Sequence, residues 1–232
     1  MALSPELVFS GIALAAVGLL GWALRTPARA PGPPPTIAFV LRSLREPRIA
    51  AGMWLTVLVG LMFGTLDVLA PLRLDELGAS AAVIGATFLV AAALEASESP
   101  VIGRLSDRHG RVLPAFVGLA AAGVTIALLP WPRETWLLIA VVLVAAPSIG
   151  ILWTPSMAML SDGAEHRGID QGYAVALINL AWSTGQTLGS AGGARLGETY
   201  GDALPYLALA AACALTLAAL ARPRFSAVLA GK

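Results

Sequence analysis

Residues 79–129 read ASAAVIGATFLVAAALEASESPVIGRLSDRHGRVLPAFVGLAAAGVTIALL. Two long apolar runs flank the charged stretch 103–111, GRLSDRHGR. It holds Arg104, Asp107, Arg108, His109 and Arg111 and is framed by Gly103 and Gly110. Over the whole 232 residues only 12% are charged and 57% are hydrophobic, with a mean hydropathy of +0.79. A soluble domain carries roughly a quarter charged residues, so this chain lacks the charge to cover a globular surface. Its apolar runs are about 18 to 24 residues long, the length that crosses a hydrocarbon core of roughly 30 Å.

Seven such spans occur, at 7–24, 49–72, 79–101, 112–129, 135–159, 171–196 and 203–221. Inside lipid a backbone polar group has no water partner, so each span is predicted to be a helix. Leu77-Gly78, Pro130-Trp131-Pro132, Asp162-Gly163 and Tyr200-Gly201-Asp202 supply turn chemistry between spans. The first span has no Lys or Arg before it and exceeds the roughly 7 to 15 apolar residues of a signal peptide. It is therefore read as a membrane helix, although Ala28-Arg29-Ala30 imitates a cleavage site. The Pro-rich, basic stretch RTPARAPGPPPT (25–36) then reads as an extended linker. The expected fold class is an all-α integral membrane protein with seven transmembrane helices. Its organisation is a single helix (1–24), a basic linker (25–48), six closely spaced helices (49–222) and a short tail (223–232).

Basic residues in the connections set the orientation. With the linker inside the cell, twelve of the fifteen Lys and Arg lie inside, and only Arg73, Arg133 and Arg195 lie outside. That predicts an outside N-terminus and a cytoplasmic C-terminus, in a plasma or inner membrane. A net charge of +1 gives no reason to expect a nucleic-acid partner. Cys213 is the only cysteine, and His109 and His166 are far apart in sequence, so no disulfide, metal site or cofactor is expected. No nucleophile–base pair falls at helix spacing, which argues against an enzyme.

Within GRLSDRHGR the residues Gly103, Asp107, Arg108, Gly110 and Arg111 form G-x-x-x-D-R-x-G-R. This resembles the cytoplasmic loop signature of the major facilitator superfamily of secondary transporters, in its weaker second copy between the eighth and ninth helices. Val112 and Leu113 stand where that signature usually continues with basic residues. The reading expects a tight cytoplasmic turn, with Gly110 free to take φ > 0. Asp107 is expected to accept from a neighbouring helix N-terminus, and Arg108 and Arg111 to pair with acids or lipid phosphates. Residues 161–206 resemble the family's tenth-to-eleventh loop, eleventh helix and start of the twelfth. Residues 66–85 are similar to the end of the seventh helix and start of the eighth in drug:proton antiporters. The resemblance implies the C-terminal half of a twelve-helix transporter plus one helix. On that reading the chain either belongs to a longer polypeptide or assembles with a separate N-terminal half. It implies proton-coupled efflux of a small organic molecule; the alternative is a truncated or non-transporting membrane partner.

Ionisable groups inside spans are costly and are functional candidates. Asp67 and Glu95 are read as proton-coupling candidates. From the predicted span ends they differ in depth by very roughly 15 Å at 1.5 Å per residue, so they are expected to act as successive stations rather than as a pair. The competing readings are an interfacial, hydrated Asp67 and a structural hydrogen bond for Glu95. Glu98 shares a face with Glu95 but is expected to be solvated at the cytoplasmic edge. Asn179, Ser183, Gln186 and Ser190 form one polar stripe at helical spacing, which lines a cavity or bonds to neighbouring helices. Ala181, Gly185, Gly189 and Gly193 run along another side as a small-residue packing seam. Trp153 and Trp182 either pack or stack a flat ligand. Pro147 and Pro155 can break the fifth span.

Overall fold

The computed structural model describes residues 5–25 and 36–222, which fall into two units, 1–34 and 35–232. The first unit holds α1 (Pro5–Ala23). The second holds α2 (Ile37–Ser43), α3 (Pro47–Glu76), α4 (Ala81–His109), α5 (Val112–Leu128), α6 (Thr135–Gly150), α7 (Trp153–His166), α8 (Gln171–Tyr200) and α9 (Ala203–Leu220). Most of the linker expected to be extended, at 26–35, and the tail at 223–232 lie outside the described residues.

Helix starts follow side-chain chemistry. Glu46, Ser80 and Asp170 each accept a hydrogen bond from a backbone N–H of the first turn of α3, α4 and α8, satisfying donors that a helix start leaves free. Gly78, Gly110, Gly168 and Gly201 take positive φ in the turns. The fifth expected span divides into α6 and α7 between Gly150 and Trp153. Pro147 lies inside α6, and Pro155 has no N–H to offer the carbonyl four residues back, so the backbone ladder lapses at the break.

Three segments differ from the sequence expectation. Asp162-Gly163, expected as a turn, lies within α7, and the chain turns at Gly168 instead. Within the 25–48 linker, residues 37–43 form α2. Val40 and Leu44, one helical turn apart, pack against Ile49, Leu160, Ala164 and their neighbours, and that burial holds a helix too short to persist alone. The charged stretch 103–111 is also not a loop. α4 continues eight residues past Val101 to His109, and only Gly110 and Arg111 make the turn. Ser106 is 1% exposed inside this extension, and Arg108 and His109 sit at the helix C-terminus, where the dipole favours cations.

α3 is the centre of the second unit. Two-thirds of its apolar window is buried, against about a tenth for α4. Among the described residues, four helical stretches are long and apolar enough to cross a membrane: α3, α4, the α6–α7 pair and α9. Residues Phe9–Ala23 of α1 and Val112–Leu128 of α5 are shorter apolar helices. α8, at thirty residues, is also long enough, but its polar stripe lowers its hydropathy. The seven expected spans are thus all helical, as an all-α membrane bundle requires.

Candidate functional site

The closest helix pair positions the site. Ala181, Gly185, Gly189 and Gly193 of α8 are all buried. A methyl group at Gly185 would strike the carbonyl of Val57, and one at Gly189 that of Leu61. α3 contributes Gly60 and Gly64 to the same seam, facing Trp182, Gln186 and Ser190. Thr65 Oγ1 donates across it to the Gly189 carbonyl at 3.1 Å. Backbone-to-backbone approach of this kind fixes what the two helices carry on their other faces.

Beside the seam lies a cavity of about 240 Å³. Its walls carry Phe63 and Asp67 from α3, Phe88 and Glu95 from α4, Ala146 from α6 and Trp182 from α8. Asp67 and Glu95 therefore share one cavity, nearer to each other than the depth expectation placed them. The depth expectation failed because α4 is longer than its apolar run. With the helix spanning 81–109, Glu95 is its central residue, and its offset from the middle-to-outer position of Asp67 shrinks to about 8 Å at 1.5 Å per residue.

Two rings pack against Trp182. Trp153 packs against it edge-on, with centroids 4.9 Å apart and planes at 77°. Phe63 lies 5.9 Å away at 59°. Trp182 thus both packs and faces the cavity.

Glu98, expected to be solvated, is half-buried, and its Oε1 is enclosed with no hydrogen-bond partner among the described residues. A Cβ at Gly150, the last residue of α6, would fall 2.6 Å from Glu95 Cγ and 3.0 Å from Glu98 Oε1. Both glutamates therefore lie against the bare glycine at the α6–α7 break.

A wider, open groove of about 720 Å³ includes Val68 and Ser183, the residues next in sequence to Asp67 and Trp182 of the cavity. Ser183, Gln186 and Ser190 line it, together with Thr187, Ala191 and Ala194. Asn179 does not join them; its Nδ2 donates back to the Val175 carbonyl at 2.9 Å. The stripe thus splits, with three members on the groove and one bonded to its own helix.

At the charged end of α4, Arg111 is the hub. It donates to Asp107 Oδ1 at 2.6 Å, to Asp162 Oδ2 at 3.2 Å and to Ser106 Oγ at 3.2 Å. The hydrogen bond that Arg111 donates to Asp107 holds the guanidinium above its ordinary pKa, partly opposed by burial and supported by Asp162. The expected role of Asp107 at a helix N-terminus is not found among the described residues: α5 starts at Val112, after Arg111, with no side-chain cap, and Asp107 is engaged by Arg111 instead. Arg108 forms no ion pair among the described residues. Gly103 sits within α4 with open space around it, and only Gly110 uses a glycine's backbone freedom, at φ 81°.

The sequence reading missed Phe63, Phe88 and Asp162. Phe63 precedes Asp67 by four residues and Phe88 precedes Glu95 by seven, spacings that put each ring on its acid's face. Asp162 carried no comparable local signal. No group of histidine, cysteine or acidic residues among the described residues is arranged to hold a metal.

A multi-pass helical bundle whose intramembrane polar groups gather on adjoining concavities has the build of a membrane transporter. The sequence profile of the Major Facilitator Superfamily matches residues 4–174 and, in a second alignment, 55–228; the chain belongs to that superfamily. It is also 29% identical over 179 residues to the MFS-type transporter SLC18B1 of Homo sapiens, an alignment covering 71% of this chain and 36% of that relative. The chain thus spans little more than a third of the relative's length.

Proposed function

We propose that this chain supplies the C-terminal half of a secondary transporter that moves a small organic molecule outward in exchange for protons. The observation that carries the reading is the convergence of Asp67 and Glu95 with Phe63, Phe88 and Trp182 on one cavity. A carboxylate at the centre of a span costs roughly 2.5 to 3.5 kcal/mol on insertion scales, and two within spans on one cavity are more than packing requires. Protons can neutralise them, and ring faces attract cations, so a small organic cation competing with protons suits the wall best. Ser183, Gln186 and Ser190 would then orient the substrate from the adjoining groove. The outward direction rests on the likeness of residues 66–85 to drug:proton antiporters. The proposed setting is a plasma or inner membrane, with the N-terminus outside and the opposing wall provided by an N-terminal half.

The test uses the complete transporter in proteoliposomes with an imposed proton gradient. Glu95→Gln and Asp67→Asn are each expected to lower gradient-driven flux at least about tenfold while the protein still inserts. Normal flux from both variants would refute proton relay through this cavity. A second reading is a membrane partner without flux of its own. Substrate flux by the reconstituted 232-residue chain alone would contradict it.

A further inference from the structure

Where α3 begins and α9 finishes, the two helices enclose an open groove of about 430 Å³. Its walls are the first turns of α3, with Ala51, Trp54 and Leu55, and the last turns of α9, with Leu215, Thr216 and Ala219. The surface is almost wholly apolar. Its one hydroxyl, on Thr216, accepts from Trp54 Nε1 at 2.9 Å and donates to the Ala212 carbonyl at 2.8 Å. No polar group in the groove is left seeking a partner, so hydrocarbon can fill it without a desolvation cost. Leu215 is 73% exposed on its wall.

Charge appears only at the mouth. Arg48 precedes Ala51 by three residues and Leu55 by seven, on the same face of α3. Arg222 follows Ala219 by three and Leu215 by seven. The backbone there is still turned, since the Arg222 N–H donates to the Ala219 carbonyl at 3.2 Å. Helical spacing thus places one arginine at the open end of each wall. Neither forms an ion pair among the described residues.

We propose that this groove binds an anionic phospholipid, with an acyl chain lying between α3 and α9 and the phosphate held at Arg48 and Arg222. Size argues for a lipid chain over a protein helix. Three turns of helix about 10 Å across occupy roughly 1,200 Å³, nearly three times this volume. Charge argues for an anionic headgroup, since basic pockets between helices at the membrane surface recruit such lipids. The inference does not depend on the transported substrate.

The experiment is native mass spectrometry of the delipidated full chain, titrated with phosphatidylglycerol and with phosphatidylcholine of the same acyl composition. Phosphatidylglycerol is expected to bind roughly tenfold more tightly, and Arg48→Gln/Arg222→Gln to bring the two lipids to parity. Arg133→Gln, on the distant α5–α6 turn, should leave the preference unchanged. Ala51→Leu/Ala219→Leu should weaken both lipids by filling the groove. Equal affinity of the unaltered chain for the two lipids, or a preference that survives the double arginine variant, would overturn the proposal. Because Arg48 is half-buried, exposed Arg222→Gln alone serves if the double variant does not fold; roughly a threefold loss of preference is expected. A photo-crosslinking residue at Leu215 in native membranes should yield a lipid adduct. An adduct to a peptide of this chain or of a second copy would assign the groove to a helix instead.

Discussion

A methyl group at Gly185 or Gly189 would meet the carbonyl of Val57 or Leu61, and backbone atoms cannot swing aside as a flexible side chain can. Gly185→Ala and Gly189→Ala should therefore each lower stability by about 1 to 3 kcal/mol, read as a fall in the unfolding midpoint of the solubilised protein. Gly192, in the same helix, has nothing within 4 Å of its would-be Cβ. Gly192→Ala should be neutral or raise stability by up to about 1 kcal/mol, through helix propensity alone. The two glycines of the charged motif separate in the same way. Gly110, at φ 81° and ψ 168°, occupies a region nearly closed to other residues, so Gly110→Ala should cost about 1 to 3 kcal/mol. Gly103→Ala should cost nothing, because that residue is helical and unencumbered. The sequence alone ranks these glycines alike; only the partner backbone, or its absence, tells them apart.

At the scale of elements, Asp202 begins α9 in the turn after α8. Burial raises its pKa above the ordinary 3.8; Glu76 adds to the rise and Arg73 opposes it. A raised carboxyl contributes stability below its unfolded pKa and loses that contribution as pH climbs through the folded value. Asp202→Asn escapes the loss. Its unfolding midpoint should gain on that of the unaltered protein as pH rises from about 3 to about 7; a difference that stays flat would show that Asp202 titrates alike in both states. Arg111 joins the end of α4 to α7 through Asp162, but Asp107 and Asp162 are 71% and 43% exposed. A double-mutant cycle with Arg111→Gln and Asp162→Asn should accordingly give a coupling below about 1 kcal/mol. These elements also show what could be read in advance. Span existence, the turns at Gly78, Gly110 and Gly201 and the α6–α7 interruption follow from apolar length and from Gly and Pro chemistry, all local properties, whereas the turn expected at Asp162-Gly163 comes at Gly168 instead. α2 escaped notice because its seven residues depend on burial of Val40 and Leu44 against distant residues. The extension of α4 escaped notice because charge, which ends an apolar run, does not end a helix. That one misjudgment also displaced Glu95 from the cavity it shares with Asp67.

For the molecule as a whole, the distribution of arginines leads to a topology that can be tested directly. With Cys213, which is buried, changed to serine, a new cysteine at Arg133 should react with an impermeant maleimide applied to intact cells. One at Arg108 should react only after permeabilisation. The reverse pattern would invert the proposed orientation and, with it, the side on which the α3–α9 groove opens.

The glycine seam between α3 and α8 has a consequence for movement. Helices in backbone contact offer no slack between them, so Asp67 on one and Trp182, Ser183, Gln186 and Ser190 on the other travel as a single block. α4, with only about a tenth of its apolar window buried, is the wall of the cavity least held by the rest of the unit. A shift of α4 against that block displaces Glu95 from a fixed Asp67, and the separation of the two acids is the coordinate along which it would be felt.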